Sequence, residues 1–147
     1  MASIWDPGMR DRLVGRVTTL RPDAERRWGS MTCPQMLAHL NDALRMAAGD
    51  LRVPSKRLPI RHPPLKQLIV YVLPFPKGAP TAPELIARRP ADWEPERRDF
   101  TMLLDRVIAR RGSGAWPEHP AFGVMTERAW GVLVCRHTHH HLEQFGA

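Results

Sequence analysis

The sequence has few of the residues on which several common classes of protein depend. Only 2 of its 147 residues are cysteines, Cys33 and Cys135, which excludes a disulfide framework and a CxxC metal site. We expect both to be small, buried, apolar residues. The longest apolar run, residues 68–73, is far shorter than the roughly 18 residues that a membrane-spanning helix needs. The N-terminal residues lack the apolar core of a signal peptide, so we expect a cytoplasmic protein.

Basic residues, in contrast, are abundant. The net charge of +7 is compatible with a protein that binds nucleic acid. However, most of the basic residues are arginines, scattered along the chain in pairs such as Arg26 and Arg27, and no DNA- or RNA-binding motif accompanies them. We therefore interpret the charge as an arginine-rich surface, which could also favour an anionic small substrate. Nucleic-acid binding remains the less favoured alternative.

The spacing of apolar residues predicts four long helices and no strand. The second helix has the clearest start, because Thr32 is a suitable N-cap and Gln35 occupies the capping-box position. Asp6 and Thr126 are the predicted N-caps of the first and last helices, and Gly49 is a natural end for the second. The predicted helices span residues 6–20, 32–49 and 95–111, with the last running from residue 126 through the C-terminal histidines.

Residues 50–91 differ from the rest of the chain because they contain many of its 15 prolines. The segment is too apolar for a disordered linker, so we expect an ordered connection that packs over the helices. A short helix is predicted within it at residues 65–72. The sequence therefore predicts an all-α protein: a single four-helix-bundle domain over residues 1–147, with this connection between the second and third long helices.

The last predicted helix contains four of the seven histidines, all within residues 137–141. His137 and His141 are four residues apart and therefore share one face of the helix. Trp130 and Val134 lie on the same face, which indicates that it points into the core. The run is interrupted at Thr138 and keeps its helical register, unlike a purification tag.

His39 is the candidate for a third ligand. It lies in the apolar stripe of the second helix, between Met36 and Ala43, so its imidazole is predicted to point into the bundle. Three buried imidazoles without partners would be costly, whereas neutral imidazole is a good ligand for Zn²⁺, Ni²⁺ or Fe²⁺. The pattern therefore predicts a divalent-metal site formed by His39, His137 and His141.

Four more residues are candidates for orienting these ligands or bordering a substrate pocket. Asp42 and Gln144 each follow a predicted ligand by three residues and could accept a hydrogen bond from an imidazole. Either could equally be an ordinary polar residue of its helix, and we favour that interpretation for Asp42. His140 flanks the inward face, where it could support the site or replace one ligand. His119, beside a proline in a loop, is a candidate for its border.

Three segments together resemble one subfamily of the DinB/YfiT superfamily of bacterial four-helix-bundle proteins. Residues 28–39 resemble its segment WGxM[ST]xxQMLxH, residues 119–123 resemble HPxFG, and residues 137–146 resemble HxxHHxxQFG. The resemblance implies a metal-binding triad at His39, His137 and His141. It also implies a relation to metal-dependent transferases that join low-molecular-weight thiols to electrophiles, and to enzymes that isomerise thiol-activated substrates.

Two functions of different kinds follow from these patterns. The first is a metal-dependent enzyme with a transferase or hydrolase-like activity on a small molecule, whose metal has an open position for a thiol or water. The second is a non-catalytic metal-binding or stress-response protein, which a closed site with His140 or Cys135 as fourth ligand would favour. Cys135 faces away from His137 on a regular helix, and no carboxylate is predicted beside the histidines as a general base. A homodimer is compatible with an exposed helix face.

Overall fold

A computed structural model describes residues 1–147, and the fold is all-helical, as predicted. It has five α-helices and no strand, apart from an isolated bridge between His119 and Gly123. The helices are α1 (Met9–Thr19), α2 (Cys33–Ala48), α3 (Leu65–Gln67), α4 (Trp93–Ala109) and α5 (Glu127–Gln144). None of these helices combines the length and the apolarity that crossing a bilayer requires.

The start of α1 differs from the prediction. The helix begins at Met9 after Gly8, whose left-handed φ of 73° lets the chain turn into the helix. Asp6 is not the N-cap, because its carboxylate accepts a hydrogen bond from the backbone N–H of Ser3 instead. Met9, Leu13 and Val17, spaced four residues apart, are nevertheless buried along one face of the helix.

The limits of α2 and the start of α5 follow the predicted capping residues. The Thr32 hydroxyl accepts from the N–H of Gln35, while the Gln35 side chain accepts from the N–H of Thr32, which completes the capping box. Gly49 ends α2 in the left-handed conformation, with a φ of 86°. Thr126 accepts a hydrogen bond from the N–H of Ala129 at the start of α5. These three predictions are confirmed.

The four long helices enclose the core. Both α1 and α2 pack against α4 and α5, so each of the two later helices contacts both of the earlier ones. Large, fully buried side chains come from all four: Leu13, Met36, Leu37, Leu40, Phe100, Leu104, Val107, Trp130 and Leu142. Both cysteines are free and buried, and burial raises the pKa of each thiol to about 11.

Residues 50–92, called the connection below, cross the bundle on the side where α2 and α5 meet. Within it, α3 continues directly into a π-helical segment, Leu68–Val72, which confirms the short helix predicted at residues 65–72. This segment contacts α5, and a later 3₁₀ turn, Pro83–Leu85, contacts α2. The Arg136 guanidinium of α5 donates to carbonyls of the π-helical segment. The connection therefore lies over the two helices that carry the predicted ligands.

Candidate metal centre

Three histidines from two helices meet beneath the connection. His39 comes from α2, while His137 and His141 lie one turn apart on α5, and their ligand nitrogens are all within 4.8 Å of one another. The Nε2 atoms of His39 and His137 are 3.1 Å apart. Two nitrogens bound tetrahedrally to zinc at about 2.05 Å would be roughly 3.3 Å apart. The three histidines are therefore close enough to share one divalent cation.

The three imidazoles are held in their neutral form. His39 and His141 are 3% and 7% exposed, and His137 is half-buried. Burial lowers the pKa of His39, and burial together with the adjacent His39 ring lowers the pKa of His141 to about 3. Burial, followed by the His141 and His39 rings, holds the pKa of His137 well below its ordinary value. Neutral imidazole is the form that binds a metal, so the cluster is in the ligand state at pH 7.

The ring orientation of His39 follows from one hydrogen bond. Its Nδ1 lies 3.0 Å from the carbonyl oxygen of Leu85 in the connection. Because a carbonyl can only accept, Nδ1 carries the proton and Nε2 keeps its lone pair. That lone pair faces His137, as a metal ligand held by an outer hydrogen-bond partner requires.

Gln144 orients His141 in the same way. Nδ1 of His141 lies 2.9 Å from Oε1 of Gln144, whose Nε2 donates to the Trp28 carbonyl at 2.8 Å. The second bond fixes the amide orientation, so Oε1 accepts the imidazole proton. Gly29 is needed here: its φ is 78°, and a Cβ would lie 2.6 Å from Nε2 of Gln144. The Trp-Gly pair of the N-terminal motif therefore supports a ligand in the last helix.

His140 lies beside the three histidines but outside the group whose nitrogens could share an ion. Its ring centroid is 5.2 Å from that of His141, 5.6 Å from Trp28 and 5.9 Å from Phe75. The Phe75 ring, from the connection, is also 6.5 Å from His137. His140 and Phe75 therefore form an aromatic border next to the ligands.

His119 lies in the loop before α5, outside the group of three histidines. Its Nδ1 accepts hydrogen bonds from the backbone N–H groups of Ala121 and Phe122, at 3.1 and 3.2 Å. Burial, with a smaller effect of Arg61, lowers the pKa of His119 to about 4, so the ring stays neutral and can accept both bonds. It packs against Trp130 at 5.5 Å and is not one of the three grouped histidines.

Asp42 faces a group of ion pairs rather than the imidazoles. Its carboxylate accepts from Arg45 at 2.7 Å and from Arg88 at 3.0 Å. Arg88 also donates to Glu96, which is only 1% exposed. We call these side chains and their direct partners the ionic cluster: Asn41, Asp42, Arg45, Arg88, Glu96 and Asp99.

Sequence reasoning missed several contributors to this region. Glu96 precedes the buried Phe100 by four residues, so helical periodicity already placed it on the inward face of α4. No comparable sequence pattern predicted the contacts of the Leu85 carbonyl and the Phe75 ring, because both residues belong to the irregular connection. Their positions depend on the path of the backbone over the bundle.

The donor set suits an open metal site. Three histidine ligands with room for water or substrate are typical of catalytic zinc, whereas structural zinc sites have four protein ligands. No carboxylate or cysteine belongs to the group that could share the ion. Cys135 is buried in the core and is not a member.

Comparison with known proteins identifies the family. Searches of curated proteins and of solved structures found no significant match. A sequence profile described as the DinB superfamily matches residues 8–145, a span that includes all three histidines and the whole connection. The chain therefore belongs to the DinB superfamily.

Proposed function

We propose that this protein is a metal-dependent enzyme that acts on a small molecule, with His39, His137 and His141 holding a divalent zinc, nickel or iron ion. One observation carries the proposal: three neutral imidazoles face one another, with all ligand nitrogens within 4.8 Å. Two of the three have their outward N–H bonded within the chain. A cation is a partner that all three inward nitrogens can share.

A divalent metal at this site would lower the pKa of a coordinated thiol or water and so supply a nucleophile at neutral pH. The residues around it would orient the ligands and limit the access of water. Leu85 and Gln144 hold the imidazoles through their carbonyl oxygens. Phe75 and His140 border the ligands and would contact a bound substrate. We propose a low-molecular-weight thiol as one substrate of a transferase reaction.

The partner proposed here is a small molecule, not a nucleic acid. Several arginines pair with acidic side chains of the same chain and therefore do not contribute to an unpaired basic patch. The paired arginines are Arg10, Arg21, Arg45, Arg61, Arg88, Arg97 and Arg106. A nucleic-acid-binding protein should bind DNA with a steep dependence on salt, so the absence of DNA binding at low ionic strength would agree with this interpretation.

A non-catalytic metal-binding protein is the second candidate. It is favoured by the absence of a carboxylate from the histidine group, because many metal-dependent hydrolytic sites also use a general base. In that case the metal would only hold α2 and α5 together. The two candidates differ in whether the metal accepts an external ligand.

Metal analysis of tag-free protein tests the proposed site. We expect close to one zinc ion per chain after incubation with Zn²⁺ and removal of excess, and none in the double variant His137→Ala/His141→Ala. His139→Ala is the matched control, since this histidine lies on the same helix outside the group. Equal metal content in the wild type and the double variant would contradict the proposal.

Cobalt substitution then separates the two candidate functions. With Co²⁺ in the site, addition of a small thiol should produce a sulfur-to-cobalt charge-transfer band, because an open position accepts the thiolate. A cobalt spectrum that does not change with thiol would instead favour the non-catalytic role.

A further inference from the structure

We propose that Arg88 is a positioning residue for the histidine site. By binding Asp42 and Glu96 of the ionic cluster, it holds the end of the connection in place. This also holds the Leu85 carbonyl, which fixes the tautomer of His39. The effect on metal affinity rests on the proposed function. The effect on the His39 ring does not, because it applies to the metal-free protein as well.

The part of the connection that carries Leu85 has few attachments to the helices. Between residues 73 and 92, Leu85 is the only buried residue, and Arg88 is the only residue whose side chain hydrogen-bonds to a helix. Apolar burial of Leu85 is non-directional and does not set the direction of its carbonyl. Apart from the His39 bond itself, the other directional bonds of this part lie towards its ends, at Leu73 and at Ala91, whose N–H donates to Glu96. The directional attachment nearest to Leu85 is therefore that of Arg88.

Arg88 makes that attachment through a fixed geometry. Its Nε donates to both carboxylate oxygens of Asp42, at 3.0 and 3.2 Å, and its Nη2 donates to Glu96 at 3.1 Å. The planar guanidinium restricts the angles at which it can meet two carboxylates. Asp42 and Glu96 are 4% and 1% exposed and belong to α2 and α4, so they form a rigid reference.

Two of the contacts between the connection and α2 lie one helical turn apart. His39 donates to the Leu85 carbonyl, and Asp42, three residues further along α2, accepts from Arg88. Leu85 and Arg88 are likewise three residues apart, and the intervening Ile86 and Ala87 are exposed. Three residues span at most about 10 Å, so the Arg88 attachment limits how far the carbonyl can move.

Loss of this attachment would change the ligand state of His39. If the carbonyl moved away, the imidazole proton would no longer be held on Nδ1, and the tautomer with the proton on Nε2 would also be populated. In that tautomer Nε2 has no lone pair to direct towards His137. Outer hydrogen-bond partners of metal-binding histidines typically change metal affinity by about 10- to 100-fold.

The test uses the full chain with a charge-balanced double variant, Arg88→Met/Glu96→Gln. Removing one cation and one anion avoids a buried Glu96 carboxylate without a partner, and Asp42 keeps Arg45. The matched control is Arg10→Met/Asp105→Asn, which removes a two-bond ion pair between α1 and α4. Circular dichroism and urea unfolding establish that both variants fold.

Two measurements are made on each protein. The affinity for Zn²⁺ is determined by competition with a chromophoric chelator, and the ring ¹⁵N shifts of His39 report its tautomer in the metal-free protein. We expect zinc binding about 10- to 100-fold weaker in the Arg88 variant, with a mixed His39 tautomer. The control should stay within about twofold of the wild type, with the proton on Nδ1. Arg88→Lys keeps the positive charge but not the planar guanidinium group, so its zinc affinity and tautomer should be intermediate.

A wild-type tautomer in the Arg88 variant would overturn this role, whatever its zinc affinity. Equal losses in the Arg88 variant and the control would also overturn it, because they would reflect general loosening of the fold. If the wild type bound no zinc, the proposed function would fail, and the His39 tautomer would still decide the role of Arg88.

Discussion

Helix α2 carries parts of two buried polar clusters, one turn apart, that differ in how their polar groups are satisfied. The ionic cluster around Asp42 combines carboxylates with guanidinium groups of the same chain. The three-histidine cluster around His39 holds neutral rings whose ligand nitrogens face one another, and two of these rings, His39 and His141, have their outward N–H bonded. The charged groups of the first cluster are paired within the chain, whereas the second has a place for a cation.

The pKa values of the two clusters show the same difference. Burial alone would raise the pKa of Glu96, but hydrogen bonds from Arg88, the Ala91 N–H and Asn41 outweigh it and keep the carboxylate ionised. In the histidine cluster, burial lowers the pKa of His141 with no carboxylate bonded to the ring to oppose it. Charge is therefore retained in one cluster and removed from the other.

The largest effect is expected from removing the central cation of the ionic cluster. Arg88→Met leaves Glu96 buried without a cationic partner, and breaking a buried pair in this way costs about 3–5 kcal/mol of unfolding free energy. The partial exposure of Arg88 favours the lower end of that range. Urea unfolding measures the change. Arg45→Met is the control and should cost less, because Arg88 would still bind both Asp42 and Glu96; equal costs would contradict this interpretation.

The histidine cluster should respond to metal instead. Free Zn²⁺ at one hundred times its Kd should raise the unfolding free energy of the wild type by about 2.7 kcal/mol, because it binds only the native chain. Urea unfolding with Zn²⁺ and with a chelator measures the difference. His137→Ala should abolish it and His139→Ala should retain it. Stabilisation that survives in His137→Ala would place the metal elsewhere.

A more gradual effect, spread over several pH units, concerns a third kind of polar group, the partly buried neutral ring of His119. Its pKa falls from 6.5 to about 4 on folding, so between these values the unfolded chain binds a proton that the native chain does not. Its contribution to stability is complete above pH 6.5 and is lost as the pH falls towards 4. The slope is at most about 1.4 kcal/mol per pH unit.

His119→Asn isolates this contribution, because asparagine offers an oxygen to the same backbone N–H groups and does not titrate. In metal-free protein, stability should fall less steeply between pH 6.5 and 4 in the variant than in the wild type. Urea unfolding at several pH values measures both slopes. Identical slopes would show that His119 does not remain neutral in the native state.

The smallest effect is expected for an exposed counterpart of the ionic cluster. Arg10 pairs with Asp105 between α1 and α4, where the two side chains are 39% and 50% exposed. Arg10→Met should cost about 0.2–1 kcal/mol of unfolding free energy, and less in about 1 M salt, where surface charges are screened. Thermal unfolding at low and high salt measures this. A cost comparable to that of Arg88→Met would remove the distinction between buried and exposed pairs.

Much of the fold was predictable because it depends on short-range patterns. The Thr32–Gln35 capping box and the Thr126 cap are hydrogen bonds between neighbouring residues, so they are visible in the sequence. Asp6 shows where this reasoning fails. A carboxylate near a helix start can accept from several N–H groups, and here the N–H of Ser3 competes successfully.

The candidate ligands were predicted for a related reason. Helical periodicity placed His39, His137 and His141 on inward faces, and the structure brings these three together. The same spacing offered Asp42 and Gln144 as partners of the imidazoles. Gln144 contacts His141, whereas the arginines draw the Asp42 carboxylate into the ionic cluster. Periodicity indicates the face of a side chain but not which neighbour it meets there.

Local patterns in the sequence thus establish the helices, their inward faces and the histidines that can meet between them, since periodicity and capping encode all three. The path of the connection settles the rest. Arg88 reaches Asp42 from 46 residues away, and the Leu85 carbonyl bonds His39 with no side-chain signature at all. Ion pairs and backbone acceptors from distant segments depend on how the chain packs. The proline-rich connection has no regular pattern that predicts its path, so only its packing on the helices determines these contacts.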